Sequence, residues 1–467
     1  MKSYSFFKRI INLSDAIGNY HQIFPIIRVS LITLNEYMAM ASVMEIKAII
    51  REQKERMHKL VQDSSMIERE HPFDIDKLTR GAATIIMGPR RCGKSTFAFQ
   101  LLKEKQFGYV NFDDERLNIS KDELNKVLEA IYSLEGDVEI LLFDEIQEVE
   151  GWEKFISRLV DEKKVIITGS NSKLLSRELS TYITGRHIDY ELLPFSFREF
   201  LLYHGFTLRK DTAYTSLEKT KIIDFLEDYF KLGGFPLALK LGEGYLVDLY
   251  KDIVERDITQ RHRIRLSSKL SVLFRYLMTN YASEHSYNKL RNIIGISGNS
   301  TVSEWVGYFE QAYVIFVLER FSFKLKESIM APRKIYSIDN GLVTINTIRK
   351  EYGNLMENTV GIQLFRSIKL NHNNFQINYW KDHQQREVDF LIRQGSNVKH
   401  LIQVTFASDK MQIKDREIQA LIKASSELKC DNLTVITWDY EDETMIDDKS
   451  IMFIPLWKWL ITSMATA

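Results

Sequence analysis

Several features that assign proteins to specialised classes are scarce in this chain of 467 residues. It has two cysteines, Cys92 and Cys430, too few for a disulfide framework and typical of a reducing, cytoplasmic setting. Basic and acidic residues both number 63, so net charge predicts no partner and any basic surface must be local. The ten histidines lack ligand-like spacing, which argues against a zinc site. No stretch approaches the roughly 20 apolar residues of a membrane helix.

What remains is an ordinary globular composition, 45% hydrophobic and 27% charged, over a length that predicts about three domains. Residues 1–43 show no clear period, and Met38, Met40 and Met44 follow one another closely. We therefore interpret residues 1–44 as a doubtful leader and expect the true start at one of these methionines. Helical periodicity begins at Glu45.

The strongest motif is Gly-x4-Gly-Lys-Ser, between a β-prone run at 83–87 and a helix-compatible run at 96–102. In this context it predicts a nucleotide phosphate-binding loop, whose backbone N–H groups and helix N-terminus face an anion. We predict that Lys94 reaches the β- and γ-phosphates of ATP, and that Ser95 gives its hydroxyl to Mg²⁺. The remaining predicted ATP-binding positions are Gly88, Pro89, Arg90, Arg91, Cys92, Gly93 and Thr96.

A second element is the apolar run Ile140–Phe143, which ends in Asp144 and Glu145. Open α/β sheets bind ligands at the carboxyl ends of their strands. We predict that Asp144 holds the Mg²⁺ shell and that Glu145 orients and deprotonates the attacking water. The alternative is a strand end followed by an acidic helix start, a position that Asp and Glu favour anyway.

Two further elements follow. The strand 164–168 leads into Ser170 and Asn171, and either could bond the γ-phosphate or the lytic water; the alternative is a helix cap. Arg186 could stabilise transition-state charge as an arginine finger, in its own chain or a neighbour's. The alternative for Arg186 is a surface or core-pairing arginine.

Cys92 lies at the predicted helix N-terminus beside Arg90, Arg91 and Lys94. Such a positive field lowers the pKa of a thiol. We predict a reactive thiol that bound ATP masks. The alternative is a small space-filling residue.

Strands and helical runs alternate between residues 80 and 193, which predicts an α/β fold with a buried parallel sheet. Residues 195–262 look helical, with a break at 233–236, and a turn at 295–301 indicates a helix-turn-helix. Beyond about 351 a helix is followed by strands. The predicted strands are 83–87, 108–112, 139–143, 164–168, 188–192, 333–339, 376–380, 386–392, 399–406 and 433–438.

A basic run lies just before the predicted helix-turn-helix. It could supply salt-sensitive contacts to DNA through residues 261–326, or it could be the solvated face of an ordinary helix. Its members are Arg261, Arg263, Arg265 and Lys269, extended by Lys289, Arg291, Lys324 and Lys326.

Several stretches together resemble the archaeal and bacterial AAA-type P-loop ATPases that carry a C-terminal domain of unknown function. Beside the elements above, these stretches are 193–200 (Leu-Pro-Phe-Ser-Phe-Arg-Glu-Phe), 233–236 (Gly-Gly-Phe-Pro), 256–258, 333–342 and 387–390. The resemblance implies an AAA-like α/β domain at 45–193, a helical lid at 194–263, a winged helix-turn-helix at 264–340, and an α/β domain like restriction endonucleases at 341–467.

In such nucleases a helical Glu, a strand Asp and a Glu/Gln-x-Lys hold the metal and activate water. The resemblance places Glu357, Asp389 and Gln403 in these roles, but Thr405 stands where the lysine is expected. Lys399, Lys410 and Lys414 are alternative sources of the cation. We expect a retained scaffold without nuclease activity.

The sequence therefore predicts a cytoplasmic ATPase that uses ATP and Mg²⁺ and couples the nucleotide cycle to rearrangement of its C-terminal half, on DNA or as a homo-oligomer. The alternatives are a nucleotide-switched regulatory protein with little turnover and an ATP-gated metal-dependent nuclease.

Overall fold

A computed structural model describes residues 42–62, 66–70, 73–170, 185–209, 214–348, 351–371 and 374–462. The predicted leader at 1–44 therefore lies outside the described residues except for 42–44, which are part of helix α1 (42–61). No helix in these ranges is both long enough and apolar enough to cross a bilayer.

The first domain is built on a five-stranded, fully parallel sheet in the order β2-β3-β4-β1-β5. Beside α1, the helices are α2 (Lys94–Leu101), α3 (Leu124–Glu135) and α4 (Glu153–Leu159), with short 3-10 turns at Ile75–Lys77, Lys121–Glu123 and Ile146–Glu148. The strands are β1 (Ala83–Met87), β2 (Phe107–Asn111), β3 (Ile140–Asp144), β4 (Lys164–Gly169) and β5 (His187–Glu191). Residues in β1 and β3 are buried throughout, as expected for a sheet covered on both faces. The α/β prediction is confirmed.

A helical segment follows: α5 (Phe197–Tyr203), α6 (Ser216–Leu232), α7 (Pro236–Leu241), α8 (Glu243–Asp252) and a π-helix at Ile253–Gln260. The break between α6 and α7 has a packing cause. Gly233 has φ +69°, and a Cβ there would lie 1.9 Å from Asp339 Oδ1. The N–H of Gly234 donates to Asp339 Oδ2 at 2.6 Å. The double glycine therefore allows this segment to approach a buried carboxyl group 105 residues away.

The next unit has three longer helices, a short fourth helix and a three-stranded antiparallel sheet in the order β6-β8-β7, and we call it the three-helix unit. Its elements are α9 (Ser267–Thr279), β6 (Ser283–His285), α10 (Tyr287–Ile294), α11 (Asn299–Gln311), β7 (Ile315–Leu318), α12 (Leu325–Met330) and β8 (Arg333–Ser337). Gly295, with φ +64°, turns the chain between α10 and α11. A winged helix remains our interpretation of this element order.

The terminal domain contains a six-stranded mixed sheet in the order β13-β14-β12-β11-β10-β9. Its elements are α13 (Asn340–Thr344), α14 (Tyr352–Asn371), β9 (Phe375–Lys381), β10 (Glu387–Gln394), β11 (Asn397–Val404), a 3-10 turn at Lys410–Gln412, α15 (Asp415–Leu428), β12 (Leu433–Thr437), β13 (Asp442–Ile446), β14 (Lys449–Pro455) and α16 (Leu456–Thr462).

Helix α14 docks this terminal domain onto the first sheet. Lys369 Nζ donates to Glu191 Oε1 at 2.7 Å, at the end of β5. Arg366 Nη2 donates to the carbonyl of Pro194 at 2.8 Å. One helix thus touches both the first sheet and the terminal sheet.

Candidate nucleotide-binding and hydrolysis site

The loop between β1 and α2 depends on its two glycines. Gly88 has φ +155°, and a Cβ there would lie 1.9 Å from the carbonyl oxygen of Leu192. Gly93, with φ +101°, is the N-cap of α2. A side chain at Gly88 would push the loop off the segment that follows β5, and one at Gly93 would strain the turn.

Lys94 is buried, with 3% of its side chain exposed. Its Nζ donates to the carbonyls of Gly88 at 3.2 Å and Pro89 at 3.1 Å, and lies 3.7 Å from Glu145 Oε1. The ammonium group therefore stands between the loop and the acidic end of β3.

Asp144 ends β3 and is buried. Ser95 Oγ donates to its Oδ1 at 2.9 Å, Tyr109 donates to its Oδ2 at 3.2 Å, and the Thr168 hydroxyl bonds the same carboxylate. Burial and neighbouring Glu145 raise the pKa of Asp144 to about 6. Hydroxyl and carboxylate oxygens converge here, the donor type that Mg²⁺ prefers.

Glu145 has a left-handed backbone, with φ +52°, which is uncommon for a non-glycine residue. Its N–H donates to Thr168 Oγ1 at 3.2 Å, and its carboxylate bonds Gln147. The turn directs the side chain toward Lys94, and 21% of the Glu145 side chain is exposed. Such strain recurs at functional sites.

Arg90 joins the loop to the π-helix. Its Nε donates to Asp257 Oδ2 at 3.1 Å and Oδ1 at 3.3 Å, and both side chains are largely buried. Burial opposes the charged form, but Asp257 raises the pKa of Arg90 above its ordinary value. Glu145 lies close enough to contribute to the same shift.

The three other predicted catalytic residues do not all lie near the loop. Ser170 is buried and follows β4, which lies between β3 and β1, so it stands at the edge where the loop and Asp144 meet. Asn171 lies outside the described residues. Arg186 precedes β5 at the opposite edge of the sheet, where it donates to the Gly81 carbonyl at 2.8 Å and pairs with Asp161. A finger role within the same chain is therefore wrong, and one in a neighbouring chain stays a prediction.

The predicted reactive thiol is contradicted. Cys92 is fully buried, and its thiol donates to the carbonyl of Leu192 at 3.2 Å. Burial raises the pKa of Cys92, outweighing the lowering by Lys94 and Arg69. The backbone N–H of Lys94 at the helix end also lowers this pKa, but burial of the sulfur has the larger effect.

A cavity of about 410 Å³ extends from the loop. Its lining includes the charged groups of Arg90, Lys94, Asp144 and Glu145 at the loop and β3. It also includes apolar side chains from α1, residues 66–67 and the helical segment, among them Met57, Leu60, Ile67, Tyr203 and Leu237. The cavity thus offers both the charged and the apolar groups that a nucleotide requires.

The sequence did not reveal Thr168, Tyr109 or Asp257 as site residues. Thr168 is opposite Asp144 in the pairing of β3 with β4, and that register follows only from the strand order. Tyr109 comes from β2, and Asp257 is 167 residues from the loop. The sequence signals were the predicted strand 164–168, which ends in Thr168, and the family-like stretch 256–258, which contains Asp257.

The side chains of the basic run differ in their exposure and partners. Arg263, Arg265, Lys289, Lys324 and Lys326 are exposed. Lys269 instead bonds the Gly295 carbonyl, and Lys324 pairs with Glu327 at 3.0 Å. A DNA-binding role for this surface stays a prediction.

The three nuclease-like residues belong to one buried cluster. Gln403 Nε2 donates to Asp389 Oδ2 at 2.7 Å, and Glu357 joins them through Lys334, at 2.8 Å from Glu357 and 3.2 Å from Asp389. The three alternative lysines, Lys399, Lys410 and Lys414, are exposed. Neither Thr405 nor any of these three lysines therefore supplies a positive charge to the cluster.

A family model described as AAA domain matches residues 80–201. Two others, Domain of unknown function (DUF8612) and Domain of unknown function (DUF4143), match residues 223–350 and 352–459. An uncharacterized protein of Methanocaldococcus jannaschii is 37% identical over 407 residues, covering 83% of this chain and 90% of that protein. The chain belongs to the AAA-type P-loop ATPases with C-terminal domains of unknown function.

This family extends to bacteria. An uncharacterized protein of Haemophilus influenzae is 26% identical over 396 residues, covering 80% of this chain and 93% of that protein. Among solved structures, a Walker-type ATPase of Pyrococcus abyssi is 16% identical with a TM-score of 0.38, covering 64% of this chain and 95% of that chain. The family assignment rests on the sequence relatives.

Proposed function

We propose that this P-loop ATPase binds Mg²⁺–ATP at the loop and hydrolyses it. One observation carries the proposal: Ser95 Oγ lies 2.9 Å from Oδ1 of Asp144, the last residue of β3, and Lys94 Nζ lies 3.7 Å from Oε1 of Glu145, which follows the strand. A phosphate-binding loop and two carboxylates therefore face each other at one edge of the sheet.

The residues fit the metal. Ser95 Oγ and the Asp144 carboxylate would hold Mg²⁺, since both are hard oxygen donors, and Thr168 and Tyr109 fix the carboxylate by hydrogen bonds. When bound, Mg²⁺ neutralises charge on the phosphates.

Side chains of the protein itself would supply the other catalytic functions. Lys94 supplies a fixed positive charge beside the phosphates, in a site where burial strengthens its field. Glu145 accepts a proton from the attacking water, because its carboxylate is partly exposed and held by Gln147. Ser170, at the end of β4, is placed to contact the γ-phosphate or that water. The base would lie against the apolar side chains of the cavity, among them Met57 and Tyr203.

The nucleotide cycle is coupled to the C-terminal half through two contacts. Arg90 ties the loop to the π-helix, and phosphate oxygens would compete with Asp257 for its guanidinium. Lys369 ties α14 to the end of β5. A change at the loop can therefore reach both the segment that precedes the three-helix unit and the terminal domain.

The direct test is steady-state ATP turnover by the full chain, with and without duplex DNA. The proposal requires Mg²⁺-dependent turnover that Lys94→Ala abolishes. Stimulation by DNA would support the basic surface at 261–326 as a DNA contact; its absence would leave the ATPase assignment intact.

A second candidate is a nucleotide-switched regulatory protein with little turnover. The ion pair of Arg90 with Asp257 favours it, because binding alone would break this contact. Single-turnover and steady-state rates separate the two: a switch binds ATP tightly but hydrolyses it no faster than Glu145→Gln does.

A further inference from the structure

Lys334, on β8 of the three-helix unit, is a buried lysine among carboxylates of the terminal domain. Only 3% of its side chain is exposed. Its Nζ lies 2.5 Å from Glu387 Oε1, 2.8 Å from Glu357 Oε1 and 3.2 Å from Asp389 Oδ1. One ammonium group therefore contacts three acidic side chains from two elements, α14 and β10.

The rest of this cluster is organised around the same charge. Tyr336, also on β8, donates to Glu357 Oε1 at 2.7 Å, and Gln403 and the N–H of Val404 donate to Asp389 Oδ2 at 2.7 and 2.9 Å. Burial alone would lower the pKa of Lys334, but the surrounding carboxylates raise it well above its ordinary value. The lysine is held in its charged form.

The resemblance to restriction endonucleases implies that the positions of Glu357, Asp389 and Gln403 would hold a divalent metal. Such an ion binds carboxylate oxygens at about 2.0–2.6 Å. Here the oxygens of Glu357 and Asp389 already face an ammonium nitrogen, which would lie within contact distance of that ion and repel it. The residues present therefore do not fit a metal in this arrangement.

We propose that Lys334 is the resident cation of the terminal domain: β8 supplies an ammonium group where related folds bind a metal, and this fastens the three-helix unit to the terminal sheet. The role is independent of ATP hydrolysis. It also explains why Gln403-x-Thr405 lacks a lysine, since the site takes its positive charge from the preceding unit.

A neighbouring lysine provides the matched control. Lys381, on β9, pairs with Glu387 Oε2 at 3.2 Å and with Glu284 at 2.6 Å, but not with Glu357 or Asp389. Its side chain is 14% exposed, against 3% for Lys334. Lys381→Met therefore removes a lysine from the rim of the same cluster without emptying its centre.

The experiment counts bound Mn²⁺ by electron paramagnetic resonance in the full chain without nucleotide, and measures the unfolding midpoint with and without Mn²⁺. Lys334→Met should lower the midpoint by about 5–15 °C, because three carboxylates lose their buried partner. Mn²⁺ should restore part of this loss, with one more bound ion per chain than in the wild type. Asp389→Asn in the Lys334→Met background should remove that extra ion, and Lys381→Met should not create it.

If Lys334→Met does not fold, the same measurements are made on Lys334→Met/Glu387→Gln, which removes one of the unpaired carboxylates. We expect this double variant to fold even if the single variant does not. Any of three results in these binding and stability measurements would overturn the proposal: an Asp389-dependent Mn²⁺ ion in the wild type, equal effects of Lys334→Met and Lys381→Met, or a Lys334→Met chain with wild-type midpoint. Mn²⁺-dependent DNA cleavage by the wild type that Asp389→Ala abolishes would do the same.

Discussion

Arg90 of the phosphate-binding loop and Asp257 of the π-helix form a largely buried ion pair, with Nε 3.1 Å from Oδ2, across 167 residues of sequence. A π-helix is rare and recurs at functional sites. The pair holds the guanidinium beside the loop. Under the proposed function, the carboxylate of Asp257 and the phosphates of a bound nucleotide would compete for this guanidinium.

Asp257→Asn should tighten ATP binding, because it removes the competitor for Arg90 while keeping the side chain's size. Hydrogen bonds to charged groups contribute about 1.5–3 kcal/mol, so we expect about a tenfold or greater gain in affinity. Equilibrium titration with a fluorescent ATP analogue measures it. The gain should vanish in an Arg90→Ala background; an equal gain there would show that Asp257 acts by another route.

Thr168→Val should weaken the metal site. The hydroxyl bonds Asp144 and accepts the N–H of Glu145, so its loss frees both carboxylate-bearing residues at nearly constant volume. Loss of a partner that orients a metal ligand typically costs 10–100-fold, and we expect about that fall in turnover with a higher Mg²⁺ requirement. Thr84→Val, in buried β1, is the matched control and should stay near the wild-type Mg²⁺ requirement.

The sequence predicted the parts of the site that lie within one short stretch. The loop from Gly88 to Thr96 and the pair Asp144–Glu145 each carry a local pattern, and the parallel sheet follows from alternating strands and helices. Thr168 could be identified as a site residue only from the register between β3 and β4. Asp257 could be identified only from the way the helical segment folds back onto the loop. Such partners are set by packing between distant segments and leave no local period.

The same reason explains the errors. A helix N-terminus alone suggested a low pKa for Cys92, but burial depends on how the loop packs against Leu192. The positive charge near Glu357 and Asp389 was expected from a lysine of the terminal domain. Lys334 was not expected in this role because it lies on β8 of the preceding unit. Conversely, the double glycine at 233–234 was recognisable as a break, while its partner Asp339 was not.

Asp339 should make stability depend on pH. Burial raises the pKa of Asp339 to about 6, although hydrogen bonds from Gly234 and Gly341 oppose this, whereas an unfolded aspartate titrates near 3.9. The folded chain thus binds this proton more tightly, so the contribution is fully present below about pH 4 and is lost as pH rises through 6. About two pKa units correspond to roughly 3 kcal/mol.

The check is the thermal midpoint of the nucleotide-free chain at pH 4.5 and pH 7. The wild type should lose more stability over this range than Asp339→Asn, whose amide cannot ionise. The variant should also be less stable at both pH values, because its NH₂ group faces a backbone N–H. Parallel pH profiles would contradict the assignment.

Cys92 should label slowly with maleimide in the native chain, because its sulfur is buried and its pKa is raised. ATP should change this rate little, while denaturant should raise it strongly. Fast labelling of the native chain that ATP suppresses would instead support a reactive thiol at Cys92. Cys92→Ser isolates the contribution of Cys430, which is also buried.

The central claim is that the edge shared by the loop and β3 hydrolyses ATP, with Glu145 as the base. The measurement that tests it most directly is ATP turnover by Glu145→Gln beside the exposed neighbour Glu150→Gln, with bound nucleotide analysed after rapid separation. We expect Glu145→Gln to lose turnover by about 10²-fold or more and to retain bound ATP, while Glu150→Gln behaves as the wild type. Wild-type turnover by Glu145→Gln would contradict the account.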